Sequence, residues 1–375
     1  MSGSRPDGGI EDAYEPTAAS RRFGWIDRDL LSVVGGGAAV VLVATTLQLS
    51  FGSYDISPAA AWGTLLDPAV LLDAAAWRAF LLGATVPDFA TGTLVVWTIR
   101  LPRVLLAVLV GANLAVSGAI LQAITRNELA SPFVLGVSSG AGLAVLLTVV
   151  VFSGLLPVLP LVAAVGGGVA FLLVYAIAWQ NGTSPVRLVL AGVIVSSVFG
   201  SVQTGLFLLI EDIGLVRSVI AWTTGSLVGA DWAAVRMVLP WTVLSLALAL
   251  LGARELDVLT LGERTASSLG MRVETVRFAL SGVAVLAAAA SVAAAGIVGF
   301  VGLVVPHIVR RIVGSDHRRL LVGCLFAGPA LMAAADAGAR LALSPAQLPV
   351  GIVTGLVGGP YFLYLMRKRG EFGGL

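Results

Sequence analysis

The chain has 375 residues, of which 58% are hydrophobic and 12% charged, and its mean hydropathy is +0.97. A water-soluble domain needs far more charge to cover its surface, so the composition excludes that class. The basic residues stand in short clusters between apolar segments and not along one face, which argues against a nucleic-acid partner.

Residues 1–30 are polar and charged, and they contain no short apolar region followed by a small-residue cleavage site. We therefore expect a cytoplasmic tail followed by an uncleaved first span. Apolar segments of about twenty residues then recur, which matches the thickness of a bilayer at helical rise. They are continuous and rich in Ala, Leu, Val and Gly, which favours closely packed helices over alternating strands. The sequence predicts an all-α polytopic membrane protein in a lipid bilayer.

Ten membrane spans are predicted from the apolar windows and turn signals. The eighth is expected to be short or kinked, because Gly296, Gly299, Gly302 and Pro306 fall within it or beside it. The windows lie near 31–51, 103–122, 132–152, 157–179, 187–210, 234–252, 275–295, 298–313, 320–342 and 350–366.

The basic residues predict the orientation of these spans. Of the 23 Lys and Arg residues, 17 fall on the side of the N-terminus and 6 on the other side. Because positive charge is retained in the cytoplasm, both termini are expected there, which requires an even number of spans. The transmembrane domain would then extend over 31–368, between cytoplasmic tails at 1–30 and 369–375.

One long connection between spans is the outer segment, residues 52–100. It contains Trp62, Trp77 and Trp97 among apolar residues. Since indole rings prefer the boundary between lipid and water, we expect short helices that lie along the membrane interface.

The other long connection is the inner segment, residues 253–274, on the predicted cytoplasmic side. Its sequence from Gly262 to Gly270 is typical of a short amphipathic helix bounded by glycines. Such a helix is too short to span a membrane and too regular for a loose linker. The inner segment is therefore the stronger functional candidate of the two connections.

The chain offers little for catalysis or metal binding. Lys368 is the single lysine, so a phosphate-binding loop ending in Gly-Lys-Ser/Thr cannot exist, and nucleotide energy must come from another polypeptide. The two histidines, His307 and His317, are not spaced for a helical metal site. Cys324 lies in an apolar helix and is expected to be a small core residue. No catalytic residue, resident metal or bound cofactor is predicted.

Ion-coupled transporters keep carboxylates within their spans, because a buried charge is costly and is retained for use. The predicted spans contain very few. Asp336 is the clear case, and Arg340 follows it by one helical turn, so an intrahelical ion pair between them is one expectation. Glu211 and Asp212 fall at a predicted span end, where water can solvate them.

Several ordered motifs carry a family resemblance. In the first half they are Arg100-Leu-Pro-Arg103, Gly111-Ala-Asn-Leu-Ala-Val-Ser117-Gly118 with Gln122, Arg126-Asn127-Glu-Leu129-Ala130-Ser-Pro132, and Leu135-Gly136-Val-Ser-Ser-Gly140-Ala141. In the second half they are Gly299-Phe-Val-Gly-Leu-Val-Val-Pro306-His307-Ile-Val-Arg310, Gly314-Ser-Asp316-His317-Arg318, Asp336-Ala-Gly-Ala-Arg340, Leu348-Pro-Val-Gly351-Ile-Val-Thr354-Gly and Gly359-Pro360-Tyr-Phe362. From about residue 100 to 368 the chain closely resembles the FecCD/BtuC-type permeases of ABC importers.

The resemblance implies a BtuC-like permease fold of ten helices in a prokaryotic cytoplasmic membrane. It also implies three kinds of protein partner: a second permease copy in a homodimer, two cytoplasmic ABC ATPase subunits that use ATP and Mg²⁺, and an extracytoplasmic substrate-binding protein. The expected cargo is a ferric siderophore, with haem and cobalamin as alternatives. The chain itself would supply the pathway and transmit motion.

Residue roles follow from the same resemblance. Arg100, Arg103 and Arg340 match outward-facing arginines that meet acidic residues of the binding protein, as rim charges that guide encounter. The inner segment matches the family's coupling loop, which seats in a cleft of the ATPase. The residues matched to that loop are Gly262, Glu263, Arg264, Ala266, Leu269 and Gly270.

A cytoplasmic gate is implied at two places, by Asn127 and Leu129 and by Thr183 and Ser184. Pro306, His307 and Asp336 are expected to have structural roles, since an already chelated cargo needs no metal ligand from the protein. Three positions depart from the usual family pattern, Glu128, Ser131 and Val322. The first two fall in the loop that carries Asn127 and Leu129, residues 126–132, which we call the gate loop.

Two other function classes compete with an ATP-driven importer. A secondary transporter without an ATPase is the main alternative, and the coupling loop and the scarcity of buried carboxylates argue against it. A membrane-embedded enzyme is the third class, and the sequence offers no catalytic constellation for it; a polar cluster that converges in the membrane plane would be its test. A neighbouring P-loop ATPase would distinguish the first alternative.

Overall fold

The computed structural model describes residues 25–370 apart from positions 53, 181, 344 and 345. Ten helices occupy the ten predicted windows: α1 Arg28–Ser50, α2 Leu101–Thr125, α3 Val137–Val150, α4 Leu159–Ala178, α5 Pro185–Phe207, α6 Trp232–Leu251, α7 Val273–Ala295, α8 Val301–Val313, α9 His317–Leu341 and α10 Val350–Gly370. No strand occurs in the described part of the chain. The predicted all-α polytopic fold is confirmed, while most of both predicted tails, 1–24 and 371–375, lies outside the described residues.

Seven helices in that part of the chain are long and apolar enough to cross a membrane, namely α1, α2, α4, α5, α6, α7 and α9. Helix α3 and the Val350–Tyr364 portion of α10 are apolar but shorter. Helix α8 has only 13 residues and carries Arg310 and Arg311 in its last turn. It starts after Gly296, which has a φ of 66°, so the predicted shortening of this span is confirmed.

The outer segment contains the expected short helices, Pro58–Leu65, Pro68–Leu71 and Ala74–Leu82. The helix that leads into α2 begins at Thr91, well before the predicted start of the second span, and widens into a π-helix over Val95–Arg100. Pro102 explains this π-helix, because proline has no N–H to continue the α-helical hydrogen bonding.

The expected interfacial position of Trp97 is wrong. Its indole is buried and stacks on Phe80, with the ring centroids 5.3 Å apart. Phe80 also stacks on Trp232 at 5.0 Å, and the Trp232 indole N–H donates to the Trp97 carbonyl over 2.7 Å. Aromatic rings contribute large buried areas, so this stack fastens the outer segment to the start of α6.

The connection between α5 and α6 holds a twelve-residue helix, Ile213–Thr224, that the span analysis did not predict. Its end is fixed by backbone hydrogen bonds, from the Ile297 N–H to the Trp222 carbonyl over 3.0 Å and from the Ser226 N–H to the Ala295 carbonyl over 2.8 Å. This helix was not predicted because twelve residues are too few to span a membrane.

Helix α2 lies in the middle of the bundle and is buried along most of its length. Two glycines allow other helix backbones to touch it. A Cβ atom at Gly118 would lie 1.8 Å from the Gly302 carbonyl oxygen of α8, and one at Gly111 would lie 2.5 Å from the Gly328 carbonyl oxygen of α9. Small residues at helix contacts are the main route to close packing in a membrane, where the hydrophobic effect between helices is weak. These contacts explain the glycines of the first-half motifs.

We predict that Gly118→Val will destabilise the bundle by about 1–3 kcal/mol or more, because the added side chain overlaps the α8 backbone. Gly168→Val is the matched control, since a Cβ at Gly168 of α4 meets nothing within 4 Å. The measurement is the free energy of unfolding in mixed micelles titrated with a denaturing detergent. Equal stability of the two variants would contradict the packing assignment.

Candidate coupling and gate site

The inner segment folds into two short helices, Ala253–Thr260 and Glu263–Ser268. We call the second one the coupling helix. It lies between Gly262, with a φ of 115°, and Gly270, with a φ of 82°. Residues with a Cβ rarely adopt such angles, so glycine is required at both ends. The predicted short helix bounded by glycines is present.

The coupling helix divides its matched residues between two faces. Arg264 and Leu269 are exposed, and Leu269 is 64% accessible. Ala266 is fully buried, so it packs against its own chain and cannot be an exposed contact. Glu263 is half-exposed and turns toward α7. Of the matched side chains, Arg264 and Leu269 are therefore the exposed ones that bond to no other element of the described chain, and their contact with an ATPase stays a prediction.

The first short helix of the inner segment is fastened to α9. Asp257 accepts a hydrogen bond from the His317 backbone N–H over 2.9 Å, and its carboxylate lies 2.6 Å from the Nδ1 atom of the same residue. Leu256 and Leu259 of the same helix are buried. The start of the inner segment is thus fixed, whereas the coupling helix follows as a separate element.

The gate turn, residues 182–185, precedes α5. Ser184 caps that helix, since its hydroxyl accepts from the Arg187 N–H over 3.2 Å. Thr183 is buried and bonds to the first turn of α7. Its N–H donates to Glu274 over 3.0 Å, and its hydroxyl donates to the same carboxylate over 2.8 Å. The Tyr175 hydroxyl donates to Glu274 as well.

Arg277 is a central residue of this site that the sequence analysis used only as an orientation charge. Its guanidinium donates to the Thr183 carbonyl over 2.5 Å and to Glu263 of the coupling helix over 2.5 Å. Glu274 lies 3.4 Å away. A carboxylate and an arginine spaced by three residues at a helix start are the available signal, but neither the threonine nor the coupling helix can be inferred from it.

The gate loop follows α2, which ends at Arg126 in the left-handed conformation with a φ of 48°. The Asn127 side chain accepts from the Leu129 N–H over 2.9 Å, which closes a local turn and leaves both residues exposed. The carboxylate of Glu128, one of the departures from the family pattern, lies 3.3 Å from Nδ1 of His307. The gate loop is therefore tied to α8.

Pro306 and His307 lie inside α8 and are both buried. Their position between α2 and the gate loop fits the structural role that was predicted. Within the described ranges, no group of three His, Cys, Asp or Glu residues is placed to hold a metal ion. The absence of a resident metal stays a prediction.

The three matched arginines at the other end of the bundle bond inside the chain. Arg100 donates to the Leu49 and Tyr54 carbonyls, and Arg340 donates to the Gln48 carbonyl over 2.8 Å. These carbonyls belong to the last turn of α1 or follow it, where helix carbonyls lack intrahelical partners and cations are favourable. Arg100 is 2% accessible, so it is not the exposed rim charge that was expected.

Asp336 pairs with Arg103 and not with Arg340, so the expected intrahelical pair is wrong. The Arg103 guanidinium donates two hydrogen bonds to the carboxylate, over 2.8 and 2.9 Å, and a third to Gln347 over 2.5 Å. Two parallel bonds match the planar fork of arginine. Both side chains are buried. The Arg103–Asp336 pair thus joins α2 to α9, which gives Asp336 a structural role. Docking of a binding protein on the three arginines stays a prediction.

The fold and this site define a multi-pass helical membrane protein whose short inner helix is bonded, through Arg277, to a turn at the end of the bundle. The profile of the FecCD transport family matches residues 40–368. The chain belongs to the FecCD transport family.

Relatives and a solved structure agree with this assignment. The chain is 39% identical over 292 residues to the iron(3+)-hydroxamate import system permease protein FhuG of Bacillus subtilis, covering 75% of this chain and 87% of that one. It is 44% identical over 284 residues to the cobalamin import system permease protein BtuC of Halobacterium salinarum, covering 74% and 75%. A structure described as a metal-chelate type ABC transporter in an inward-facing conformation matches with a TM-score of 0.76 at 28% identity, covering 90% of this chain and 99% of that one. The prediction of an ABC importer permease is confirmed.

Removing one partner of the Arg103–Asp336 pair should cost about 3–5 kcal/mol of unfolding free energy, because Asp336→Ala leaves a buried guanidinium without its carboxylate. Replacing both, as Arg103→Met with Asp336→Leu, should recover most of that loss. The measurement is again detergent-induced unfolding.

The control for this prediction is Arg319→Ala, which breaks an ion pair of equal length, 2.8 Å, with Asp27 at a partly exposed site. Exposed pairs contribute about 0–1 kcal/mol, so this variant should remain close to the wild type. Equal losses in Asp336→Ala and Arg319→Ala would contradict a special role for the buried pair.

Proposed function

We propose that this chain is the membrane-spanning half of an ATP-driven importer of metal chelates in the cytoplasmic membrane, and that its cargo is a ferric siderophore. The observation that supports this most directly is the inner segment, a short helix set between two glycines and exposing Arg264 and Leu269. An exposed helix outside the spans is suited to insertion in a cleft of a cytoplasmic ATPase. The relatives named above import chelates, among them an iron(3+)-hydroxamate and cobalamin.

The proposed partners of this chain are a second copy of it, two ATPase subunits and an extracytoplasmic binding protein. Helix α5 supports the second copy and a pathway beside it. Its exposed surface carries the hydroxyl residues Ser197, Ser201 and Thr204 among apolar side chains. Each hydroxyl donates to a carbonyl one turn earlier and keeps acceptor oxygens on the outside. Polar groups facing lipid are unfavourable, so this face is better suited to an assembled pathway.

The same proposal places both termini and the coupling helix in the cytoplasm, where positive charge is concentrated. ATP and Mg²⁺ would be used by the ATPase, because this chain has a single lysine and no phosphate-binding loop. The gate loop and the gate turn, near the coupling helix, would then close the cytoplasmic end of the pathway.

The test is purification of the tagged chain in mild detergent, identification of the co-purifying ATPase, and reconstitution of the complex with its binding protein in liposomes. We expect uptake of a ferric hydroxamate that requires ATP, with haem and cobalamin as competing cargo. Uptake by the isolated chain under an ion gradient alone would overturn the proposal and favour a secondary transporter. Preference for haem or cobalamin would correct the cargo and leave the importer in place.

Gly270→Pro should abolish most of the uptake while the ATPase still hydrolyses ATP. Proline fixes φ near −65° and removes the N–H, whereas Gly270 has a φ of 82° and donates to the Ser267 carbonyl over 2.9 Å. The measurement is chelate imported per ATP hydrolysed.

Gly229→Pro is the matched control for this variant. Gly229 has a φ of 79° in an exposed turn before α6, so proline imposes the same conflict away from the coupling helix. We expect this control to keep the wild-type ratio. An equal fall in both variants would mean that the ratio reports general damage and not coupling.

A further inference from the structure

We infer that Arg277 is a positioning residue that transmits displacement of the coupling helix to the gate turn. The inference rests on the proposed function, since it concerns the connection between an ATPase contact and a gate. It assigns Glu263 to a link within the chain, whereas the resemblance assigned it to the ATPase contact.

The first argument is the arrangement of bonds around one buried guanidinium. Arg277 is 2% accessible, and its two terminal nitrogens point to different elements. Nη1 donates to the carbonyl of Thr183 in the gate turn, and Nη2 donates to the Glu263 carboxylate on the coupling helix. A planar guanidinium holds these two directions in a fixed relation. A displacement of the coupling helix is therefore transmitted through the guanidinium to the gate turn.

The second argument is that the gate turn moves with the start of α7. All three polar groups of Thr183 bond to that first turn: its N–H and hydroxyl to Glu274, and its carbonyl to Arg277. Separating the turn from α7 would leave several polar groups unpaired in a mostly buried place, at a cost for each of them. The gate turn and the start of α7 are thus one mechanical unit.

The third argument concerns the coupling helix itself. It joins α7 covalently through a connection that contains Gly270, whose left-handed conformation and missing side chain suit a hinge. At its other end the helix continues through Gly262, with a φ of 115°, into the fixed helix Ala253–Thr260, so both covalent connections contain a glycine about which it could turn. The Glu263–Arg277 bond is a second attachment to α7, at the Gly262 end of the helix, and it makes the helix move with α7.

The fourth argument is the space beside these groups. A cavity of about 580 Å³ is lined by the gate turn, the coupling helix and the start of α7, including Thr183, Ser184, Glu263, Ser267 and Arg277. Continuous apolar packing therefore does not hold the coupling helix against the turn. The connection across this space is polar, and Arg277 supplies it.

The functional test measures chelate imported per ATP hydrolysed by the reconstituted complex. Glu263→Ala should lower that ratio about tenfold, the scale for losing one charge-assisted hydrogen bond at a half-exposed carboxylate. Glu263→Gln keeps an acceptor oxygen and should recover part of the ratio. The amount of ATPase that co-purifies should not change in either variant, because the Glu263 carboxylate bonds to Arg277 of its own chain.

A double-mutant cycle separates a link from two independent effects. Arg277→Met should lower the ratio about tenfold or more, because it also removes the bond to the Thr183 carbonyl. Adding Glu263→Ala to Arg277→Met should cause no further fall, whereas independent contributions would give about a further tenfold. If Arg277→Met does not fold, the ratios of Glu263→Ala and Glu263→Gln alone decide whether the bond to Glu263 transmits motion. Arg319→Ala, which breaks the ion pair with Asp27 and none of the bonds to Arg277, is the control and should keep the wild-type ratio.

A second measurement does not depend on transport. Spin labels at Ser268→Cys and Val186→Cys, both exposed positions, report the distance between the coupling helix and the start of α5, in a Cys324→Ala background that removes the single native cysteine. Glu263→Ala should broaden the distance distribution, because the helix then swings about Gly270. An unchanged distribution would overturn the second attachment.

The outcomes separate the two proposals. A wild-type complex that imports no chelate with ATP overturns the proposed function and the relay that rests on it, even if the spin-label distribution broadens. ATP-driven import by the wild type with an undiminished ratio in Glu263→Ala overturns the relay alone. A lowered ratio accompanied by loss of the ATPase would assign Glu263 to the ATPase contact and also overturn the relay.

Discussion

The arrangement of this bundle depends on backbone-to-backbone contact along α2. Gly118 and Gly111 bring α8 and α9 so close that no side chain fits between the helices. With those helices in place, Arg103 at one end of α2 reaches Asp336 of α9, and Gln122 at the other end accepts from Arg310 of α8 over 3.1 Å. The polar contacts at both ends of the bundle are therefore consequences of one packing constraint, because in lipid close approach is what permits them.

Much of the fold could be predicted, because the length of an apolar segment reports directly whether it can span a membrane. Errors arose where another interaction prevailed. Trp97 looks interfacial by residue type, but stacking with Phe80 buries it. The helix Ile213–Thr224 is apolar yet too short for a span, and only its bonds to distant backbone groups define its place. Length and composition contain no information about such contacts.

The site was predictable where the signal was local. Gly262 and Gly270 bound the coupling helix as expected, since their backbone angles are a property of the residues themselves. Partners distant in sequence were not predictable. Arg277 bonds to Thr183, 94 residues earlier, and Asp336 pairs with Arg103 on another helix and not with Arg340 on its own helix. A buried arginine takes the carboxylate that satisfies its planar geometry, and only the assembled fold reveals which one that is.

The pairing of Arg103 with Asp336 also constrains how the protein is made. The two residues are 233 positions apart, and a ribosome adding about 5–20 residues per second needs roughly 10–50 s to proceed from one to the other. During that interval α2 enters the bilayer with an arginine whose carboxylate has not been synthesised, and its long side chain must reach for the lipid headgroups. Closure of the pair is thus a late event in biogenesis, and an unmatched charge on α2 distinguishes a truncated nascent chain from a finished one.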